Sequence, residues 1–322
     1  TKWHRAHTTW FFAEFVLGAD GTSGRVWDRP EYRFLYNSYY DAVGARHPRP
    51  ERGLVTRPSI DEVADYRAHI DAAIGELLAG DIGPELADVL VLGTHHEEQH
   101  QELLLLDIKH VLSMNPAIGP AYADVAVDAA ADPGPMGWVE FGGGLVEVGH
   151  GRCDAGTVAR FAFDNEGPRH EVRLYDYALA DRLVTAGEWL AFVDDGGYRR
   201  PELWKSDGWA RVQSEGWDAP LYWRRHPDDP DRWWIHSLTG LRELDLHEPV
   251  VHVSHYEADA FATWSGARLP TEFEWEHAAA QRAIEGVLLD EQDPAFAFHP
   301  RSAGPVTGDL RQLFGDCWEW TS

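Results

Sequence analysis

Lysine is the residue type that this chain most clearly lacks. Only Lys2, Lys109 and Lys205 occur among 322 residues, and 54 acidic residues give a formal net charge of −26. Contacts to phosphate groups need clustered lysine and arginine, and the sequence has no basic tract of that kind. A nucleic acid is therefore not an expected partner. Nearly all of the 28 basic residues are arginines, the side chain best suited to bidentate binding of a carboxylate.

Cysteine is almost absent, and so are long apolar runs. Cys153 and Cys317 are too few for a disulfide framework, and no stretch approaches the roughly 18 apolar residues of a membrane span. Both absences favour a reducing cytoplasm as the location and argue against a membrane partner. No signal peptide is visible at Thr1, but the chain begins without methionine, so we expect further residues upstream.

Residues 1–113 have the periodicity of a helical bundle. The first helix of the predicted bundle begins near the start of the chain. A second helix is predicted to begin at the capping box of Ser59 and Glu62 and to end at Gly80. The third helix is predicted over Pro84–Leu112. Three helices of this length predict a bundle, and a four-helix bundle would need one more helix, which residues upstream of Thr1 could supply. The face of the first helix that points into this bundle carries Trp3, His7, Trp10, Phe11 and Glu14.

A linker is predicted at residues 114–136, where the sequence turns to proline, alanine, glycine and aspartate without periodicity. Residues 137–322 then alternate short apolar segments with glycine and tryptophan, which indicates sparse regular secondary structure. Capping boxes at Ser254–Glu257 and Thr271–Glu274 still predict two short helices. The length favours two domains. The fold class we expect is α+β, with the bundle first and a strand-containing domain second.

The most informative motif is Thr94–Glu102, in which His96 and His100 lie four residues apart. On a helix this spacing puts both imidazoles on one face, and here the same face carries the apolar residues that point into the core. A buried imidazole without a hydrogen bond costs about 1–3 kcal/mol, whereas a bound cation uses it as a ligand. The pair therefore predicts a metal site. The alternative is two core histidines satisfied by hydrogen bonds.

A third metal ligand is expected from the first helix. His7 lies on its core face among aromatic residues, and His4, three residues earlier, is the competing candidate. Three neutral imidazoles leave coordination positions open, which suits zinc-water chemistry or oxygen chemistry at ferrous iron. Glu97 also completes an HExxH pattern, so a zinc-dependent hydrolase or thiol transferase with Glu97 as base is the alternative of another class.

Two loop segments and one helical residue offer groups for a substrate. Tyr39 and Tyr40 provide phenols, either of which is a candidate proton donor near the metal, although paired tyrosines often serve packing alone. Arg49 and Arg52 lie in a proline-stiffened loop and offer forked donors for a carboxylate. Gln99 directly precedes a ligand and either contacts the substrate or belongs to a solvated helix face.

Several segments together resemble the sulfoxide synthases of ergothioneine biosynthesis (the EgtB family). Trp3–Phe12 resembles the family's first-ligand helix, and His96–Glu102 resembles its HxxxHxE helix, of the DinB-like bundle type. Arg268–Glu276 and Phe314–Thr321 resemble signatures of the formylglycine-generating-enzyme domain, which has a C-type-lectin-like fold. The resemblance covers nearly the whole chain.

This resemblance implies iron(II) as the cofactor, with the ligands His7, His96 and His100. Within the family, the chain is similar to the branch that has its catalytic tyrosine in the bundle and accepts free cysteine. By this likeness Tyr39 and Tyr40 jointly take the proton-donor role. Arg49 and Arg52 hold the carboxylate of the sulfur donor. Gln99 contacts the imidazole of trimethylated histidine, hercynine, directly or through water.

The implied function is oxygen-dependent formation of a carbon–sulfur bond between cysteine, or a cysteine-containing thiol, and hercynine, coupled to sulfoxidation. An alternative is a selenoneine synthase, which joins a selenosugar to hercynine. A lectin-like binding module with a purely structural bundle is a third interpretation. Relatives in the family continue past the Trp-Glu-Trp-Thr segment, so part of the pocket is expected beyond Ser322. Cys317 stands where they often carry valine.

Overall fold

The computed structural model describes residues 2–18, 27–115, 119–123, 129–151, 161–288, 299–306 and 308–322. Two compact units are present, which we describe separately. The first comprises Thr1–Ile108 and Gly149–Pro168, and the second comprises Lys109–Val148 and Arg169–Ser322. The first unit thus includes a segment that the sequence analysis assigned to the second domain. The domain boundaries that the sequence predicts at residues 113 and 137 stay predictions.

Helices make up the regular structure described in the first unit. A capping box begins the third of them, since the Ser59 hydroxyl accepts a hydrogen bond from the Glu62 amide and the Glu62 carboxylate accepts one from the Ser59 amide. The predicted start of this helix is confirmed, and its last residue lies two positions before Gly80. The helices are α1 (Lys2–Phe11), α2 (Glu31–Leu35), α3 (Ile60–Leu78) and α4 (Pro84–Ser113), with a π-helical segment, Phe12–Leu17, directly after α1.

The core of the first unit forms where α1 and its π-helical continuation meet α3. Trp10, Phe11 and Ile70 are at most 2% exposed there, and burial of such side chains is the main favourable term in folding. Helix α4 comes close to the aromatic residues at the end of α1, because a Cβ atom on Gly93 would lie 2.7 Å from Cε1 of Phe12. This close approach brings the motif helix to the aromatic end of α1.

The second unit combines short antiparallel strands with four helices among its described residues. Strand β1 pairs with β4, β2 pairs with β3, and β5, β6 and β7 form a three-stranded sheet in that order. The strands are β1 (Trp138–Phe141), β2 (Gly144–Val148), β3 (His170–Leu174), β4 (Tyr177–Ala180), β5 (Trp223–His226), β6 (Asp229–Ser237) and β7 (Gly240–Glu243). The helices are α5 (Ala186–Asp194), α6 (Ser206–Glu215), α7 (His255–Trp264) and α8 (Glu272–Ala279).

The mixture of helices and strands confirms the predicted α+β class. Helices α7 and α8 begin at the predicted capping boxes of Ser254 and Thr271, whereas α5, α6 and the three-stranded sheet were not predicted. Trp189, Phe192 and Ile235 lie in the core of this second unit. Within the described ranges no helix is long and apolar enough to span a membrane. Cys153 lies outside the described residues.

Candidate metal centre

Three of the predicted ligands lie together in the first unit. His7 on α1 and His96 and His100 on α4 each offer a ring nitrogen, and these three atoms lie within 4.8 Å of one another. Helical periodicity explains the arrangement on α4, since residues four apart share a face. His7 is only 1% exposed. The geometry therefore collects three nitrogen donors at one point, with His7 buried and His96 and His100 half-buried.

Aromatic rings and one backbone carbonyl fix the orientation of His7. Its ring stacks against Trp3 at a centroid distance of 4.7 Å and against Trp10 at 5.6 Å. Its Nδ1 lies 2.5 Å from the carbonyl oxygen of Tyr36. A carbonyl only accepts hydrogen bonds, so Nδ1 carries the proton and donates it. The lone pair of the neutral ring is consequently on Nε2, which is free to bind a cation.

His96 supplies the test of whether these residues fit a metal. Its Nδ1 is buried and has no hydrogen-bond partner among the described residues. Its ring lies 4.6 Å from the His100 ring and 4.9 Å from the Phe11 ring, measured between centroids. An unpaired nitrogen in such an apolar position is costly, and coordination of a cation within the cluster offsets that cost. The donor set therefore fits a divalent metal.

Two hydrogen bonds in series connect His100 to His4 and His4 to Asp107. Its Nδ1 is 2.8 Å from Nδ1 of His4, and Nε2 of His4 is 2.9 Å from Oδ2 of Asp107. His4 is 9% exposed, whereas most of the Asp107 side chain is in solvent. His4, considered above as a rival ligand, is not one of the three residues whose donor atoms lie within 4.8 Å.

Burial keeps the clustered imidazoles neutral. It lowers the pKa of His7 to about 3, of His96 to about 4 and of His100 to about 3, and the positive charge of nearby Arg52 contributes at His7 and His100. A neutral imidazole is the form that binds metals. Three neutral nitrogen donors with coordination positions left open suit zinc or ferrous iron.

The tyrosine pair lies on a loop that Asn37 holds in place. The fully buried Asn37 amide donates to the carbonyls of Tyr40 and Gly44, and its oxygen accepts a hydrogen bond from the Tyr40 amide. The Tyr40 ring packs against Phe15 and Trp10, and burial raises the pKa of its phenol. Tyr39 is 64% exposed. The two phenols therefore have different surroundings.

The predicted carboxylate-binding residues lie near these phenols. The Arg52 guanidinium stacks 4.1 Å above the ring of Trp3 and donates to the Ser38 hydroxyl at 3.0 Å. Its Nε is buried without a partner among the described residues. Arg49 is exposed and donates to the Tyr39 hydroxyl at 3.2 Å. Gln99 is an exposed residue of α4, between the two ligands of that helix.

Glu97, the base in the alternative hydrolase interpretation, is engaged elsewhere. Its carboxylate accepts hydrogen bonds of 2.8 and 3.0 Å from Nη1 of Arg67 on α3. Arg67 also donates to Asp71. A general base needs a carboxylate within hydrogen-bond reach of the metal-bound water, and this carboxylate is held by an arginine on another helix. The ion pair therefore argues against general-base chemistry at Glu97.

Sequence reasoning missed the residues that hold the ligands. His4 was expected only as a rival ligand, and no role was predicted for Asp107. The role of the Tyr36 carbonyl left no sequence signal, because a backbone acceptor has no residue preference. Asp107 did leave a signal, since it lies seven residues after His100 and thus on the same face of α4.

Together these features define an α+β protein whose helical unit carries a candidate three-histidine metal centre. Residues 137–292 match the family model of the sulfatase-modifying factor enzyme 1-like domain. The chain is also similar to the formylglycine-generating enzyme of Streptomyces coelicolor, at 32% identity over 168 residues, which cover 47% of this chain and 51% of that relative. The resemblance of the second domain to formylglycine-generating enzymes is thereby confirmed.

The family of this chain follows from relatives that match nearly its full length. The hercynine oxygenase of Mycolicibacterium smegmatis is 36% identical over 318 residues, covering 91% of this chain and 68% of the relative. That of Mycolicibacterium thermoresistibile is 32% identical over 311 residues, covering 88% and 64% respectively. The chain belongs to the hercynine oxygenase family, and with it to the oxidoreductases, as the sequence motifs predicted. It spans about two thirds of the length of these relatives.

Proposed function

We propose that this protein is an iron(II)- and oxygen-dependent sulfoxide synthase that forms a carbon–sulfur bond between cysteine, or a cysteine-containing thiol, and the imidazole of hercynine. The convergence of His7, His96 and His100 within 4.8 Å carries this proposal. The names of the hercynine oxygenases support hercynine as the substrate and an oxygenase as the type of enzyme. We propose the cytoplasm as its location, because cysteine is kept reduced there.

Each predicted site residue has a task in the proposed reaction. Three neutral imidazoles hold the metal, and iron(II) in this position supplies the redox chemistry that oxygen activation requires. Arg52, with Arg49 beside it, provides positive charge for the carboxylate of the sulfur donor. Gln99 contacts the imidazole of hercynine. A phenol of the Tyr39–Tyr40 pair donates the proton.

The surroundings of Glu97 favour this proposal over a zinc hydrolase. HExxH hydrolases need a free carboxylate beside the metal-bound water, and in this protein Arg67 binds that carboxylate with two hydrogen bonds. Replacement of Glu97 by alanine therefore removes a structural ion pair and leaves the oxygenase chemistry in place.

The proposal is tested by anaerobic reconstitution of the full chain with iron(II), followed by measurement of oxygen uptake with hercynine and cysteine and by mass analysis of the product. A sulfoxide conjugate of the two substrates is the expected result. Rapid turnover only with a selenosugar would identify a selenoneine synthase instead. Oxygen uptake that yields only oxidised cysteine, or activity that requires zinc, would overturn the proposal.

Two neighbouring histidines of α4 provide a matched pair of variants for this test. His96→Ala is expected to abolish stoichiometric iron binding, because it removes one of three ligands. His95→Ala is the control, since the His95 ring stacks on Phe161 and bonds to Glu98 outside the cluster. Iron analysis after desalting gives the stoichiometry. Equal iron content in the two variants would contradict the assigned ligand set.

A further inference from the structure

His100 differs from the other two ligands in what holds its outer nitrogen. At His7 a backbone carbonyl accepts from Nδ1, and at His96 the Nδ1 atom has no partner among the described residues. At His100 the partner is another imidazole, that of His4, with 2.8 Å between the two Nδ1 atoms. This contact needs one donor and one acceptor, although either imidazole can supply either.

Asp107 decides which ring donates. Its Oδ2 lies 2.9 Å from Nε2 of His4, and an ionised carboxylate only accepts, so the proton of neutral His4 is on Nε2. Nδ1 of His4 then presents a lone pair and accepts. His100 must therefore carry its proton on Nδ1, which leaves the lone pair of Nε2 for a metal. The order of donors and acceptors is His100 to His4 to Asp107.

We propose that His4, oriented by Asp107, is a positioning residue that holds His100 in the tautomer and ring orientation required for metal binding through Nε2. Partners of this kind behind a ligating histidine fix its orientation and increase its basicity, and their loss typically weakens metal binding about 10- to 100-fold. The inference rests on the metal centre of the proposed function, and it does not depend on which sulfur or selenium donor is used.

The burial of His4 supports a role directed at His100. Its side chain is nine-tenths buried beside Trp3 and His100, where each nitrogen needs a partner. Both of its nitrogens are used, one on His100 and one on Asp107. A histidine that served packing alone would not require a carboxylate on the neighbouring helix to fix its tautomer.

The test is titration of the metal-free full chain with Co(II) under anaerobic conditions, with the dissociation constant read from the visible spectrum. We expect His4→Phe, which fills the space without an acceptor, to bind Co(II) about 10- to 100-fold more weakly than wild type. His4→Asn keeps an oxygen near the position of Nδ1 and is expected to recover most of the affinity. Asp107→Leu is expected to weaken binding as well, because His4 then loses its fixed tautomer.

A matched control comes from a histidine–carboxylate pair that lies wholly on α4. His95 bonds to Glu98 at 2.9 Å outside the metal cluster, so His95→Phe should leave the affinity unchanged. A second readout is the nitrogen-15 NMR spectrum of the zinc-loaded protein, in which the Nδ1–H signal of His100 should be present in wild type and His4→Asn. This signal reports the tautomer even where a variant alters stability.

The outcomes separate the inference from the proposed function. Wild-type affinity in His4→Phe would overturn the inference alone. Complete loss of Co(II) binding in both His4→Phe and His4→Asn would also overturn it, since His4 would then be a ligand. Failure of the wild-type chain itself to bind Co(II) would refute the metal centre on which both rest.

Discussion

At the scale of single residues, two adjacent tyrosines have different surroundings. Tyr39 is 64% exposed and accepts a hydrogen bond from Arg49. Tyr40 packs among Trp10, Phe11 and Phe15, where burial raises the pKa of its phenol and keeps it protonated. A protonated phenol is the form that a proton donor needs. Mutation of each tyrosine to phenylalanine removes a single oxygen atom and keeps the ring.

We expect Tyr39→Phe combined with Tyr40→Phe to lower the rate of sulfoxide formation by about 100-fold or more, while oxygen is still consumed in simple oxidation of the thiol. The metal ligands are untouched, so iron content should stay at the wild-type value. Mass analysis of the products alongside oxygen uptake measures the diversion, and the single variants assign the donor. Tyr175→Phe, at an 81% exposed residue of the second unit, is the control. Sulfoxide formation at the wild-type rate in the double variant would contradict the assignment.

At the scale of secondary-structure elements, Gly93 sets the distance between α4 and the end of α1. A Cβ atom there would lie 2.7 Å from Cε1 of Phe12 and 3.0 Å from Cε1 of Phe11. Glycine inside a helix costs about 0.5–1 kcal/mol relative to alanine. The close approach of α4, which carries two of the three candidate ligands, accounts for a glycine in this position.

Gly93→Ala is expected to destabilise the first unit by about 1–3 kcal/mol, because the overpacking outweighs the gain in helix propensity. Metal affinity should fall with it, since α4 must shift against α1. The control is Gly75→Ala on α3, where a Cβ atom would meet nothing within 4 Å; this variant should gain about 0.5–1 kcal/mol. Urea denaturation of both variants gives the comparison. Equal stabilisation by the two alanines would show that a methyl group at residue 93 fits beside Phe11 and Phe12 without overpacking.

Elements with a local signal could be predicted from the sequence. The capping boxes at Ser59, Ser254 and Thr271 gave the starts of three helices, because the hydrogen bonds lie within four residues. Thr185 and Glu188 form the same box before α5, so that helix could have been found. Strand β6 gave no clear signal, since it begins with charged residues and a proline.

In the candidate site, too, the sequence predicted the residues that have a local pattern and missed the contacts between elements. Helical spacing predicted His96 and His100 as ligands, and the apolar face of α1 favoured His7, with His4 as the competing candidate. The bond between His4 and His100 could not be predicted, because it depends on how α1 lies against α4 in space. The different environments of Tyr39 and Tyr40 likewise depend on the loop that Asn37 fixes. Tertiary contacts of this kind have no periodicity in the sequence.

At the scale of the whole molecule, a strongly acidic protein keeps several histidines buried and neutral. The formal net charge is −26. Burial lowers the pKa of His7, His96 and His100 to between about 3 and 4. In the second unit it lowers the pKa of His252, which accepts a hydrogen bond from Lys109, to about 3. All four groups take up protons more readily in the unfolded chain than in the folded one.

The stability of the metal-free protein should therefore decrease as the pH falls from about 6.5 toward 4, because the unfolded state binds protons that the folded state excludes. Reduced repulsion between carboxylates acts in the opposite direction over the same range. His96→Leu separates the two effects: it removes one buried imidazole, so its loss of stability on acidification should be smaller than that of wild type. His95→Leu, on the same helix but outside the cluster, is the control for replacing a histidine of α4 by leucine. Denaturation in urea at pH 7.5 and 5.5 provides the measurement, and an identical pH response of His96→Leu and wild type would refute the account.

The stacking of His7 against Trp3 and Trp10 has a consequence for how long a metal stays bound. With the ring 1% exposed, a chelator in solution reaches this ligand only when α1 separates locally from its neighbours. A chelator can bind a metal at the open coordination positions, but His7 releases it only when α1 opens. The rate of metal loss should therefore reach a limit at high chelator concentration, and that limit should rise steeply with temperature, as the rates of opening reactions do. The final step of metal release is thus set by the local opening of a helix.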